Sequence, residues 1–169
     1  VNAAAIGAIV HCFEPNPMSY AILEKNIVKN KFKHRPVINN VAVSSKDSQK
    51  MSFDIGIRST AGSLEKLKDK TLRSGKIIEV DTINLNKYLG KIEHNNIKFL
   101  KMDCEGAEYS LLENFDNIRR VDYLMIEAHE TENNHPIDLI KSLKSFGYTT
   151  NKVKANHGAI ELYCKIIKN

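Results

Sequence analysis

Apolar segments of strand length alternate with amphipathic segments of helix length along most of the chain. The predicted strands cover residues 8–13, 37–43, 51–57, 76–83, 97–102, 123–128, 148–153 and 159–167, and the predicted helices cover 20–30, 85–89, 107–115 and 137–146. This alternation is typical of an α/β fold with a mainly parallel sheet, in which helices cross between neighbouring strands. The short connection through His157 and Gly158 predicts that the last two strands form a hairpin.

The length of 169 residues predicts a single domain over residues 1–169, with a polar, variable insertion at about 44–80. Hydrophobic residues make up 42% and charged residues 27% of the chain, as in ordinary folded domains. No apolar run approaches the roughly 18 residues that cross a bilayer, and no signal peptide is recognisable, so we expect a cytoplasmic protein without a membrane partner. The three cysteines are far apart, which argues against a disulfide framework and against a zinc site.

The formal net charge of +5 raises the question of a nucleic-acid partner. The excess is modest, and its densest stretch, residues 25–35, covers the end of a predicted helix and the loop after it. Cations favour a helix C-terminus in any protein, because the carbonyl groups there carry partial negative charge. We therefore interpret this stretch as a solvated helix end and expect no nucleic-acid binding.

An acidic residue, Glu14, follows the first predicted strand. Open α/β sheets bind ligands at the carboxyl ends of their strands, and an acid at that position can accept hydrogen bonds from both hydroxyls of a ribose. A carboxylate ahead of Pro15 can equally cap the helix that follows. The residues alone favour neither interpretation.

Two further groups of polar residues follow neighbouring predicted strands, which lie about 5 Å apart in a sheet, so we expect the two groups to converge on one site. Asp103 and Glu105 come after the strand at 97–102, and alternation on an extended backbone would point both to one side, with Cys104 turned into the packing. Glu127 and His129 end the next strand, where a histidine beside a carboxylate is a candidate general base. The acids could instead simply favour the positive end of the following helix.

Four segments of the chain together resemble the FkbM family of methyltransferases, in the order and spacing of that family. They are FEPNP at residues 13–17, NNVAVS at 39–44, KMDCEGAE at 101–108 and IEAH at 126–129. Each segment is a weak signal alone, whereas four in succession are a specific one. The resemblance covers almost the whole chain.

The resemblance implies a doubly wound, mainly parallel seven-stranded Rossmann-like sheet with a reversed C-terminal hairpin, S-adenosylmethionine as methyl donor and an oxygen nucleophile on the acceptor. The cofactor-binding residues that it implies are Glu14, Pro15, Asn16, Asn40, Val41, Ala42 and Asp103. The residues that it places in the methyl-transfer cleft are Asp103, Glu105, Glu127 and His129. Because a carboxylate near the sulfonium would stabilise the ground state more than the transition state, we expect these groups to orient or deprotonate the acceptor.

The predicted function is therefore S-adenosylmethionine-dependent O-methylation of a hydroxyl group on a small molecule or glycan. Two alternatives are a binding domain without activity and another nucleotide-binding Rossmann-like domain, such as a nicotinamide-dependent oxidoreductase. The second alternative gives no reason for two acid-bearing strand ends or a reversed hairpin. A divalent metal held by the carboxylates and the imidazole is possible from ligand type but is not favoured.

The chain departs from the family at its beginning. The glycine-rich loop that follows the first strand in the family is absent, and residues 1–7 are typical of the end of the helix after that loop. We therefore expect the sequence to begin inside the domain, without its first strand.

Overall fold

The computed structural model describes residues 1–46, 49–56, 63, 75–93, 96–113, 115–156 and 159–167, with the backbone alone for 153–156. The helices are α1 (Asn2–Ala5), α2 (Pro17–Lys29), α3 (Leu85–Gly90), α4 (Glu108–Glu113) and α5 (Pro136–Ser145), with a 3-10 helix at Asp116–Arg120. The strands are β1 (His11–Phe13), β2 (Val37–Asn39), β3 (Ala42–Ser44), β4 (Lys50–Asp54), β5 (Ile77–Asn84), β6 (Ile97–Met102), β7 (Val121–His129), β8 (Tyr148–Asn156) and β9 (Ala159–Ile166). Most predicted elements are therefore confirmed to within a few residues. The connection at residues 157–158 lies outside the described residues.

The described strands form three small sheets, with the orders β1-β2, β3-β5-β4 and β6-β7-β9-β8. Three pairs are parallel (β1–β2, β3–β5 and β6–β7), whereas β4–β5, β7–β9 and β8–β9 are antiparallel. The prediction of one doubly wound, mainly parallel seven-stranded Rossmann-like sheet is therefore wrong. The antiparallel pairing of the last two strands is nevertheless present, and β9 also runs antiparallel to β7.

Part of this difference arises because the strand predicted at 37–43 is divided between two sheets. Its first half pairs with β1 and its second half pairs with β5. Between the halves, the Asn40 Nδ2 atom donates to the backbone carbonyls of Glu14 (2.8 Å) and Pro15 (3.3 Å), so the chain leaves the ladder there. Apolar periodicity predicts that a segment is extended, but the partner of a strand depends on tertiary packing.

The helices that flank the site begin with recognisable caps. Asn16 precedes α2, and its Oδ1 atom accepts a hydrogen bond of 3.0 Å from the backbone nitrogen of Met18, while Pro17 occupies the first helical position. His135 caps α5 through its Nδ1 atom, which accepts from the nitrogen of Ile137 at 3.2 Å. Among the described residues, no helix is long and apolar enough to span a membrane.

The main hydrophobic core lies on the four-stranded sheet, where α4 and α5 pack against β7. Its completely buried side chains include Leu124, Ile126 and Leu143. Each such side chain stabilises the fold by about 1.5–3 kcal/mol through removal of apolar surface from water. A smaller core of Ala42, Phe53 and Val80 joins β3, β4 and β5. The candidate site lies where the edges of the sheets meet.

Candidate functional site

The acid-bearing ends of β6 and β7 lie side by side. These strands are parallel neighbours, with Met102 paired to Ile126 in the register, so the residues that follow Met102 emerge beside Glu127 and His129. The predicted convergence of the two groups is found in the structure. The Nε2 atom of His129 lies 3.3 Å from Glu105 Oε2 and 3.9 Å from Glu127 Oε1.

The turn after β6 brings Glu105 to His129 by a route that the sequence did not predict. Glu105 has a φ of 50° and Gly106 a φ of 103°, so both lie in the left-handed region and the extended alternation does not continue past Met102. A left-handed conformation is uncommon for a residue with a side chain and persists only where the surroundings hold it. The prediction that Asp103 and Glu105 point to one side was therefore based on an extended backbone, which the chain does not have at Glu105.

Glu108, the first residue of α4, holds this turn together. Its side chain is completely buried. The Oε1 atom accepts from the backbone nitrogen of Cys104 at 2.8 Å, and the Oε2 atom accepts from the backbone nitrogen of Gly106 at 2.9 Å. The Oε1 atom also lies 3.3 Å from Nδ1 of His129. The sequence-based site omitted Glu108, because acids at the start of a helix are common and residue type alone did not distinguish this one.

His129 lies between two carboxylates, with its side chain only 10% exposed. Its backbone carbonyl accepts a hydrogen bond of 2.8 Å from the Tyr109 hydroxyl, which fixes the end of β7. Burial alone would lower the pKa of His129, but the hydrogen bond and charge of Glu108, with the charges of Glu105 and Asp103, raise it to about 9. The imidazole is therefore a cation at neutral pH, a state in which it cannot accept a proton.

The three other acids of the cluster differ in their surroundings. Asp103 is one-third exposed and forms an ion pair of 2.7 Å with Lys101, and Glu127 is 36% exposed. Glu105 is more enclosed, and its Oε2 atom is buried without a hydrogen-bond partner among the described residues. Burial raises the pKa of Glu105 to about 7 against the opposing charge of His129, and the charges of Asp103, Glu108 and Glu127 raise it further.

The same cluster is compact enough to hold one cation. Asp103, Glu105 and His129 each offer an oxygen or nitrogen ligand atom within 4.8 Å of the others. Carboxylates with imidazole suit several divalent metals, but a metal at His129 would have to replace its proton. The metal alternative therefore competes directly with the imidazolium.

A cavity of about 410 Å³ opens beside the cluster. It is lined from all three sheets by Phe13, Glu14, Pro15, Ser19, Ile22, Val41, Ala42, Val43, Phe53, Asp103, Cys104, Glu105 and Ala107. The volume falls in the range of about 300–1,000 Å³ found for small-molecule sites. Five predicted cofactor-binding residues, Glu14, Pro15, Val41, Ala42 and Asp103, therefore share one cavity.

Glu14 contributes one carboxylate oxygen to local structure. Its Oε1 atom accepts from the backbone nitrogen of Asn16 at 2.8 Å, just ahead of α2. Its Oε2 atom has no hydrogen-bond partner among the described residues, and burial raises the pKa of the group. The two interpretations of Glu14 from the sequence are therefore compatible, because one oxygen braces the helix start while the other remains for a ligand.

Asn16 and Asn40, also predicted to bind the cofactor, do not line the cavity. Asn16 is buried and caps α2, whereas Asn40 joins β2 to the Glu14–Pro15 backbone. Both residues therefore support the segment that carries Glu14, although neither lines the cavity. The sequence also missed Phe53, which reaches the cavity from β4 in the predicted insertion.

Comparison with known proteins gives one match. The family model described as the methyltransferase FkbM domain matches residues 1–150. No match was found among curated proteins or among solved structures. The matched residues include every predicted site residue.

Proposed function

Because the chain belongs to the FkbM methyltransferase family, we propose that it transfers a methyl group from S-adenosylmethionine to a hydroxyl oxygen of a small molecule or glycan. One observation supports this function above all others: a single cavity joins Glu14 to the acidic strand ends at Asp103 and Glu105. That arrangement offers one end for a nucleoside and another end for the group that reacts.

The cavity fits the nucleoside part of S-adenosylmethionine. The Oε2 atom of Glu14 is available for the ribose hydroxyls, since carboxylate acceptors form strong charge-assisted hydrogen bonds. Val41 and Ala42 supply an apolar wall that suits the flat face of an adenine. We assign Asp103 and Glu105, which line the same cavity, to the reacting centre.

S-adenosylmethionine supplies a methyl group on a sulfonium centre, so catalysis requires a nucleophilic oxygen held in line behind that methyl. The protein contributes by placing the acceptor hydroxyl against the carboxylates of the β6 and β7 ends. Positioning of this kind supplies a large share of the rate acceleration in displacement reactions. A carboxylate beside the acceptor hydroxyl can take its proton as the new bond to carbon forms, whereas a carboxylate near the sulfonium would stabilise the ground state more than the transition state.

The alternatives are less well supported. A nicotinamide-dependent oxidoreductase does not account for the acidic cluster or for the antiparallel pairing of β8 and β9. A binding domain without activity does not account for a nearly buried carboxylate, Glu105, that is held beside His129 and lines the cavity. We further propose that residues 1–169 act as one domain and that the protein works in the cytoplasm.

The test combines cofactor binding with product analysis on the full protein. S-adenosylmethionine and NADH are titrated separately by calorimetry, and the protein is then incubated with S-adenosylmethionine and a panel of methyl glycosides and simple alcohols. We expect S-adenosylmethionine to bind at micromolar concentration, NADH not to bind, and a methyl ether to form with at least one hydroxyl probe. Binding of NADH alone would favour the oxidoreductase, and binding of S-adenosylmethionine with methyl transfer only to amines would overturn the oxygen acceptor.

A further inference from the structure

The position of Glu105 is fixed from three directions. Its backbone carbonyl accepts a hydrogen bond of 2.6 Å from the Ser63 hydroxyl, and Glu108 binds the backbone nitrogens on either side, at Cys104 and Gly106. These three contacts hold Glu105 in its left-handed conformation. They do not serve to cap a long helix, because the helix that follows, α4, has only six residues. Strain of this kind is retained where a side chain has to be aimed.

The side chain of Glu105 is aimed at His129. The imidazole Nδ1 atom faces Glu108 Oε1 at 3.3 Å, and Nε2 faces Glu105 Oε2 at 3.3 Å. A neutral imidazole has one N–H group, so one of the two carboxylates would then face a ring lone pair. An imidazolium has an N–H group at each nitrogen and places its positive charge beside both carboxylates, and its Nδ1 contact with Glu108 also has the geometry of a hydrogen bond. The imidazole ring of His129 therefore lies between the carboxylates of Glu108 and Glu105.

We propose that Glu105 is the catalytic residue that accepts the proton of the acceptor hydroxyl, and that His129 and Glu108 are positioning residues that orient its carboxylate. This inference rests on the proposed function and assigns the base within the same site. Among the acids that line the cavity, Asp103 already forms an ion pair with Lys101. Glu14 is assigned to the nucleoside end of the same cavity. Glu127 is more exposed than Glu105 and is not part of the cavity lining.

The proton balance is simple. The acceptor O–H bond breaks, and its proton passes to a carboxylate oxygen of Glu105. The acceptor oxygen forms a bond to the methyl carbon, while the electron pair of the carbon–sulfur bond stays on sulfur. Glu105 afterwards releases the proton to water. The side chain of Glu105 lines the cavity and is only 13% exposed, so burial makes its carboxylate a stronger base than a fully solvated one.

The experiment measures the protonation of Glu105 and His129 by NMR in the full protein, labelled uniformly with ¹³C and ¹⁵N and freed of metal. The titration covers every group that faces Glu105, namely Asp103, Glu108, Glu127 and His129, together with Lys101, the partner of Asp103. The variants are Glu108→Gln, Glu105→Gln and His129→Gln. The control is Glu113→Gln, the same substitution at an exposed position of α4.

We expect His129 to stay protonated at pH 7 in the unmodified protein and to lose its proton near pH 9. Glu108→Gln should lower this midpoint by at least about one pH unit, because it removes the neighbouring charge. His129→Gln should raise the Glu105 midpoint above that of the unmodified protein, and Glu113→Gln should change neither midpoint. With a hydroxyl probe that is methylated, Glu105→Gln should lower kcat by roughly 10²- to 10⁴-fold with an unchanged dissociation constant for S-adenosylhomocysteine.

Three results would overturn the assignment: a neutral His129 at pH 7, a Glu105 midpoint at the ordinary value for an exposed acid, or full turnover by Glu105→Gln. Added Mg²⁺ or Mn²⁺ provides a further test, since stoichiometric perturbation of the His129 and Glu105 signals would make the cluster a metal site instead. If Glu108→Gln fails to fold, the unmodified protein and His129→Gln still decide the outcome. Absence of S-adenosylhomocysteine binding by the unmodified protein would instead contradict the proposed function itself.

Discussion

At the scale of single residues, the most informative side chain is Glu108. A completely buried carboxylate is costly unless its oxygens have partners, and Glu108 has two backbone N–H donors and the His129 ring. It therefore links the turn after β6 to the end of β7. Loss of the carboxylate would leave these donors without an acceptor and His129 with less support.

We expect Glu108→Ala to lower the free energy of unfolding by about 3–5 kcal/mol, as is usual when one partner of a buried ion pair is removed. Denaturant unfolding followed by circular dichroism measures the change. Glu113→Ala, at an exposed position of the same helix, should change stability by no more than about 0.5 kcal/mol. Equal effects of the two substitutions would show that Glu108 has no special structural role.

The sequence predicted which side chains come together at the site, but not the turn that brings them there. Asp103, Glu105, Glu127 and His129 were expected together because neighbouring parallel strands end at one edge, and the structure brings them together. The importance of Glu108 could not be predicted from residue type, because acids at the start of helices are common on protein surfaces. Whether an acid is exposed or buried depends on the packing around it.

At the scale of elements, α3 and the 3-10 helix are joined by one asparagine. The Oδ1 atom of Asn86 accepts from the backbone nitrogen (2.9 Å) and the side-chain nitrogen (2.8 Å) of Asn117, and its Nδ2 atom donates to Asp116 at 3.2 Å. This contact fixes the segment that leads into β7. Such hydrogen bonds contribute about 0.5–1.5 kcal/mol each.

Asn86→Ala should therefore lower the free energy of unfolding by about 1–3 kcal/mol, since it removes three side-chain hydrogen bonds. Chemical denaturation gives the value, with Asn96→Ala as the control at an exposed position. The control should be nearly neutral. A neutral Asn86→Ala would mean that water replaces these bonds without loss.

The elements were largely predictable, whereas the pairing of the strands was not. Residues 97–102 were expected to form a strand, and β6 has those bounds, although of its six residues only Met102 is buried. The division at Asn40 could not be foreseen, since two polar residues also occur in continuous strands. One seven-stranded sheet was therefore predicted where the strands that the structure describes form three sheets.

At the scale of the whole molecule, the acidic cluster links stability to pH. The folded pKa of His129, about 9, lies above its ordinary value of 6.5, so its contribution is fully present below about 6.5 and is lost as pH rises through 9. The pKa of Glu105 in the folded protein, about 7, lies above its ordinary value of 4.5. The neutral form of this buried group therefore favours the folded state at low pH. This contribution is lost as the pH rises through 7.

Both shifts have the same sign, so we expect the free energy of unfolding to fall as pH rises from about 5 to 9. Urea unfolding at a series of pH values tests this expectation. His129→Gln should remove the part of the slope that comes from the imidazole, and should shift the part that comes from Glu105 to higher pH, because the charge that lowers the Glu105 pKa is lost. A free energy that rises with pH over this range would contradict the assignment of charges in the cluster.

The account depends most directly on Glu14, which is expected to hold the ribose of S-adenosylmethionine. Calorimetric titration of S-adenosylmethionine into the full protein, Glu14→Ala and the exposed control Glu24→Ala measures this contribution. We predict that Glu14→Ala weakens binding by about 2–3 kcal/mol, roughly 30- to 150-fold, through loss of charge-assisted hydrogen bonds, while Glu24→Ala binds normally. Unchanged affinity in a folded Glu14→Ala protein would contradict the placement of the cofactor in this cavity.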